Sequence, residues 1–471
     1  MSATIGSAGA GAGTTTDGPE SRLNRVLGLP ALVFFGLAYM VPLTVWTTYG
    51  LVTTDTEGHL PAAYLATTIA MLLTAWSYGR MVVAQPTAGS AYSYASRAFG
   101  RPLGFMVGWA LLLDYIFLPM INYLLIGLYM NDYFPGIDDA YWIVLAVVLV
   151  TALNILGIRL LTNMNLLLVA TQFVFIAVFA VMAIVHIGGD EVSVRSWTDP
   201  IIGGDAGLIF AGAAVLALSF LGFDAVSTLS EETHDPTRVI PRAILLCALA
   251  GGGLYLFQSY LGHLAFPDWA SFGDDVDVAS ADVMKEIGND FLNSFFTAAY
   301  VAGAFACAMA SQASVSRILF AMGRDGSLPK PIFARLHPTY RTPVVANVIV
   351  GLFGLTALFI TLATVSSMIS FGALAAFSFV NLAVIKTYVI DRGERGGAAL
   401  VKYALIPFAG FLFTIYLWTK LSRDTFEIGL PWLAVGFVYL LILTRMFTKP
   451  PPAMYDADAD EIELESAPKR A

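Results

Sequence analysis

Two carboxylates stand inside long apolar runs: Asp114 in LLLDYIFLPMINY and Asp224 in LSFLGFDAVSTLSEE. A charge at such a position in a membrane helix costs about 3 kcal/mol unless it faces a cavity or a partner. Burial favours the protonated form of a carboxyl group, and a nearby cation favours the ionised form. Each Asp is therefore a candidate proton carrier or ammonium partner, with a hydrogen-bonded packing role as the plain alternative. Glu231 and Glu232 follow Asp224 in the same run. Paired with Arg238, Arg242 or a basic residue further along, they read as a gate or as a structural ion-pair cluster. Tyr39, Trp46, Tyr115, Tyr123, Phe220 and Phe223 share these stretches. Aromatic faces attract ammonium groups, although packing explains most aromatics in such runs. Other chemistry is missing. Five histidines and two cysteines, Cys247 and Cys307, have no metal-ligand spacing and imply no disulfide framework. No Ser, His or Cys constellation has the spacing of a nucleophile and its base. The sequence points to no enzyme, no metal and no cofactor.

The elements that must position these groups are membrane spans. Of 471 residues 57% are apolar and only 13% charged, about half the charged share of a soluble domain. A chain of this size could not bury so much apolar surface behind so few charges in water. The net charge of −9 gives no basic footprint for nucleic acid. At about 20 residues per span, apolar runs fall near 31–51, 62–84, 104–130, 141–158, 164–187, 207–229, 241–265, 291–316, 343–363, 366–389, 401–419 and 429–447. The sixth and tenth are the least regular, because Gly and Ser interrupt them. Residues 1–21 and 449–471 read as solvated, disordered tails, the second one acidic.

Loop charges orient the spans. With both tails in the cytoplasm, all 25 Lys and Arg but Arg195, Lys285, Lys420 and Arg423 fall on that side. The opposite side is acidic, most densely between Asp268 and Asp290, which reads as a solvated face or as a mouth that concentrates cations. Two spans carry breaks. Pro42, between Gly36 and Gly50, interrupts the first, and Gly222 interrupts the sixth beside Asp224. Unwound backbone survives in a bilayer where it lines a cavity or binds a ligand. Interruptions at corresponding positions of two halves mark a binding site near the midplane.

Three long motifs carry a family resemblance. GFDAVSTLSEETHDPTRVIPRAI (222–244), QPTAGSAYSYASRAFG (85–100) and ASVSRILFAMGRDGSLPKPIFARLHPTYRTPVVA (313–346) resemble the sixth span, the loop after the second span and the loop after the eighth span of the amino acid–polyamine–organocation permeases. GHLPAAY (58–64) and GFMVGWALLLDYIFLPMINYLL (104–125) look closest to the bacterial putrescine importers within that superfamily. The resemblance implies an all-α, leucine-transporter-like fold of about twelve transmembrane helices. Residues 22–395 would form a ten-helix core of two inverted five-helix repeats, and 396–448 two additional helices. It implies a substrate site at Met40, Val41, Pro42 and Leu43 of the first break and Phe220, Gly222, Phe223 and Asp224 of the sixth. Tyr39, Tyr115, Pro119, Asn122, Ala310 and Ser311 would add lining, with Asp114, Asp224, Glu231 and Glu232 in coupling or gating. Two departures stand out. The lysine that many amino acid permeases of the superfamily place in the fifth span is replaced by Gln172. The acid that the putrescine importers place in the first span is replaced by Thr47.

The expected activity is proton-driven import of a small amine or amino acid across the plasma membrane, by alternating access. Sodium is the alternative coupling ion, with Ser311 and Ser314 as oxygen donors. A neutral amino acid is the competing substrate, its carboxylate held on amides freed at the first break. Exchange of amine against amino acid is the second reading. A non-transporting membrane sensor is the distant third, because it predicts a long soluble domain beside tails of this length.

Overall fold

The computed structural model describes residues 27–85, 91–156, 159–188, 198–272, 276–324, 328–337 and 342–449. The expected tails, Arg195, and Asp274 and Asp275 of the acidic stretch lie outside the described residues, apart from Lys449. Among the described residues the fold is helical throughout, with one isolated bridge, Leu27 to Thr233. Eleven helices among the described residues are long and apolar enough to cross a bilayer, and a shorter apolar one, Val344–Leu358, stands where the ninth span is expected. Helix is what such sequences must form, since hydrocarbon offers the backbone no hydrogen bonds and a helix supplies its own. Proline marks the first turn of the helices that begin at Leu29, Leu60, Arg101, Pro236 and Ile406, where its missing N–H is no loss. Side chains of Asp205, Thr361 and Ser422 cap three others by accepting from backbone amides.

The third helix (Arg101–Tyr133) and the tenth (Leu362–Asp391) form the centre, with 78% of each apolar window buried. They approach closely because Gly372 faces the backbone of Ala110 and the side chain of Leu113. The tenth helix is therefore unbroken where its Gly and Ser suggest interruption. Ser378 donates back to Leu374 O, and Ser370 donates across to Val215 O of the sixth span, so these two serines are satisfied without breaking the helix. At the periphery Val144, Val148, Phe437, Val438 and Ile442 are exposed, as hydrocarbon-facing positions should be.

Two segments read as loops contain helix. Ala91–Phe99, within the stretch after the second span, buries Ala91, Tyr92, Tyr94 and Ala95 on one side. The eighth helix begins early, at Ala279, and turns at Gly288 and Asn289 (φ 54°) before continuing to Arg324. Val283, Met284 and Ile287 are buried there while Lys285 and Glu286 are exposed. The acidic stretch thus hides a short amphipathic helix.

Candidate functional site

The first span is three pieces: Leu29–Met40, a tight turn at Thr44–Trp46, and Tyr49–Asp55. At the break Val41 has φ 53°, an outlier for a β-branched residue. Such a conformation costs on the order of 1–3 kcal/mol and persists where surroundings impose it. The sixth span runs Ala206–Val215, tightens over Leu216–Phe220, breaks, and resumes as a second tight turn, Ala225–Glu232. Gly222, at φ 122°, is the pivot. A Cβ there would lie 2.7 Å from the Tyr39 ring and 3.0 Å from the Met40 amide. The two breaks therefore face one another, and only glycine allows the approach.

Seventh-span side chains take up the freed carbonyls. The Tyr255 hydroxyl is 2.8 Å from both Met40 O and Ser219 O. Gln258 Nε2 donates to Pro42 O at 2.9 Å, and its Oε1 accepts from Trp46 Nε1 at 3.1 Å. Thr44 Oγ1 also donates to Met40 O. Tyr129 of the third span donates to Trp46 O.

Between the breaks is a cavity of about 40 Å³, room for a few waters. The first span lines it with Tyr39, Met40, Val41, Leu43, Thr44 and Thr47, and the sixth with Leu218 and Leu221. The third span adds Leu118, Ile121, Asn122 and Leu125, and the eighth adds Tyr300, Ala304 and Cys307. No charged side chain is among them. The Thr47 hydroxyl is 2.7 Å from that of Tyr300. Away from the end where Leu27 meets Thr233, aromatic rings wall the cavity. Tyr129 packs 4.5 Å from Tyr300 and 5.4 Å from Phe296, and Phe296 is 6.1 Å from Trp46.

Toward the Leu27 end lie the two carboxylates. Asp224 Oδ1 accepts from the Gly222 amide at 3.1 Å. Asp114 is buried and its Oδ1 has no hydrogen-bond partner. The two are near enough to act on one another, and both act on Tyr39.

The structure brings Tyr39, Met40, Val41, Leu43 and Asn122 of the expected residues into the cavity lining. Pro42 contributes its carbonyl to Gln258 instead. Tyr115 is half-buried outside the lining. Phe220 packs edge-on against Tyr255 at 5.6 Å, and Phe223 lies between Tyr78 and Phe377. Ser311 donates to Cys307 O within its own helix, and Ala310 is exposed. Pro119 is buried inside the third helix. The Glu231 and Glu232 side chains lie outside the described residues. Gln172 is buried against Gly303, its Oε1 without a partner. Thr44, Leu218, Leu221, Tyr300, Ala304 and Cys307 line the cavity without having stood out in the sequence. The spacing of 300, 304 and 307 on one helical face was the available signal.

Residues 31–447 match the family described as amino acid permease. The low-affinity putrescine importer PlaP of Escherichia coli (strain K12) is 39% identical over 438 residues, covering 92% of this chain and 97% of that protein. The branched-chain amino acid permease BcaP of Bacillus subtilis (strain 168) is 25% identical over 461 residues, covering 91% and 95%. The vacuolar cationic amino acid transporter 2 of Arabidopsis thaliana is 28% identical over 399 residues, covering 79% of this chain and 61% of that protein.

Proposed function

The chain belongs to the amino acid permease family, a multi-pass membrane transporter of amino acids or amines rather than an enzyme, and from that premise we propose that it imports a small amine, a putrescine-like diamine foremost. The observation that carries this reading is the uncharged, hydroxyl-rich cavity between two facing helix breaks, with a pair of carboxylates just beyond it. The 39% identity to a putrescine importer supports the amine over the amino acid.

In this reading an ammonium rests among Tyr39, the Thr47–Tyr300 hydroxyl pair, Asn122 and the break backbone of Met40, Val41 and Leu43, while the Pro42 carbonyl stays with Gln258. Phe220, Phe223 and Tyr115 shape the surrounding shell, Gly222 lets the breaks meet, and Ser311 supports the eighth-span wall. The Asp114–Asp224 pair carries the coupling proton on one carboxyl while the other stays ionised, and Glu231 and Glu232 part as the inner path opens. The core of residues 22–395 works as two inverted repeats, and 396–448 adds two peripheral helices. Alternating access follows from tilting of the first and sixth helices. The bias of Lys and Arg supports an orientation with both termini in the cytoplasm, and the membrane of this reading is the plasma membrane.

Uptake of labelled putrescine into proteoliposomes, competed by amines and amino acids with and without an inward proton gradient, tests this. Gradient-driven uptake blocked by diamines is expected, with a loss above about tenfold in Asp224→Asn. Near-normal uptake in that variant removes Asp224 from the mechanism. A requirement for sodium replaces the proton as driver, and counterflow without any gradient makes the protein an exchanger. The second reading, a neutral amino acid, is favoured by Thr47, which leaves the cavity without an acid. Amino acid uptake without putrescine uptake would establish it.

A further inference from the structure

Asp114 lies just off the cavity, on the stripe of the third helix that lines it. Leu118, Ile121, Asn122 and Leu125 form that stripe. Asp114 precedes Leu118 by one turn, so it shares their face about 6 Å nearer the Leu27 end. Its Oδ1 has no partner, and neither has the hydroxyl of Tyr78 on the second helix. Tyr78 is wholly buried and Asp114 is 5% exposed. Asp114, Asp224, Tyr94 and Tyr115 all act electrostatically on Tyr78. The rings of Phe223, Phe377 and Tyr94 enclose it at 5.7, 5.8 and 5.9 Å.

Among the described residues neither carboxylate has an ion-pair partner, and no Lys, Arg or His acts on either. Buried charges in native proteins are paired. This pocket holds acceptors and phenols and no cation. The cavity beside it holds no charge at all. Tyr39 joins the two spaces, since it lines the cavity and both carboxylates act on it.

We propose that Asp114, Asp224 and Tyr78 form an ammonium pocket one helical turn from the cavity, which takes the second ammonium of a diamine whose first ammonium lies in the cavity. This rests on the amine reading above and adds its selectivity. An ammonium brings three donors and no acceptor, which suits an Asp114 oxygen and a Tyr78 phenol oxygen that lack donors, beside an Asp224 carboxylate whose one oxygen already accepts from the Gly222 amide. A monoamine leaves the pocket unfilled. A neutral amino acid reaching into it would set its carboxylate against two acids.

The test is equilibrium binding of labelled putrescine to the purified full-length protein in detergent. The competitors are butylamine, diamines of three to six carbons and neutral amino acids. In the unmodified protein diamines should bind at least about tenfold tighter than butylamine, with a maximum at one chain length. Asp114→Asn should bring diamine and monoamine to within about twofold, and Tyr78→Phe should narrow the gap about threefold. Thermal unfolding of each variant checks folding. Should Asp114→Asn fail to fold, the chain-length series and Tyr78→Phe decide alone. Equal binding of diamines and butylamine overturns the pocket while leaving the amine reading intact. So does a variant that weakens both ligands alike, or neither. Binding of amino acids and of no amine overturns the pocket and the amine reading together.

Discussion

Tyr255 has one hydroxyl proton and two carbonyl oxygens at 2.8 Å, one from each break. It can satisfy only one at a time, so a single side chain of the seventh helix stitches the first span to the sixth. Tyr255→Phe removes that donor and leaves buried carbonyl oxygen unpaired, at about 1–3 kcal/mol. The expected result is a lower unfolding temperature in detergent together with reduced uptake. Gln258→Leu should act likewise, since it frees both Pro42 O and Trp46 Nε1. A Tyr255→Phe protein that melts and transports like the unmodified one would mean that Thr44 and water serve these carbonyls equally well. Neither Tyr255 nor Gln258 is legible in the sequence. Their first-span partners lie more than 200 residues away, and no periodicity announces a hydrogen bond. Asp224 is legible as a charge in an apolar run, but its bond to the Gly222 amide is not.

Helices carry the parts of the site that sequence does express. Pro42 and Gly222 announce the two breaks because each changes what the backbone can do locally, wherever it packs. The unbroken tenth helix shows the converse. Its Gly372 and serines look the same in one dimension, yet Gly372 serves close packing against the third helix and Ser370 bonds to the sixth span. The same distinction makes a paired prediction. Gly222→Ala forces a Cβ onto Tyr39 and Met40 at a positive φ. It should abolish most uptake and destabilise the fold by about 1–3 kcal/mol. Gly253→Ala, on an exposed face of the seventh helix with open space around it, should be neutral or stabilising by about 0.5–1 kcal/mol. Uptake assays and melting curves on the pair check this. Equal tolerance at both positions would mean that the first and sixth helices separate during most of the cycle.

At the scale of the whole molecule, the two cysteines separate packing from passage. Cys247 is buried, its thiol facing Leu32 O and Val33 O beneath Gly36. Cys307 lines the cavity, between the aromatic wall of Trp46, Tyr129, Phe296 and Tyr300 and the carboxylate layer of Asp114 and Asp224. If the first and sixth helices tilt about their breaks, wall and layer must open in turn, and each opening admits a small reagent to Cys307 from one side. Alkylation by a small maleimide should therefore inhibit uptake. Bound substrate should slow the inhibition severalfold, because it occupies the space the reagent needs. Cys307→Ser should resist the reagent, whereas Cys247→Ser should stay as sensitive as the unmodified chain. An impermeant maleimide applied to sealed, oriented vesicles then assigns the sides. Under the orientation proposed above, reaction from the Leu27 end should come from the cytoplasmic face. If substrate leaves the alkylation rate unchanged while uptake proceeds, the cavity between the breaks is not on the substrate's path, and the site must be sought elsewhere in the bundle.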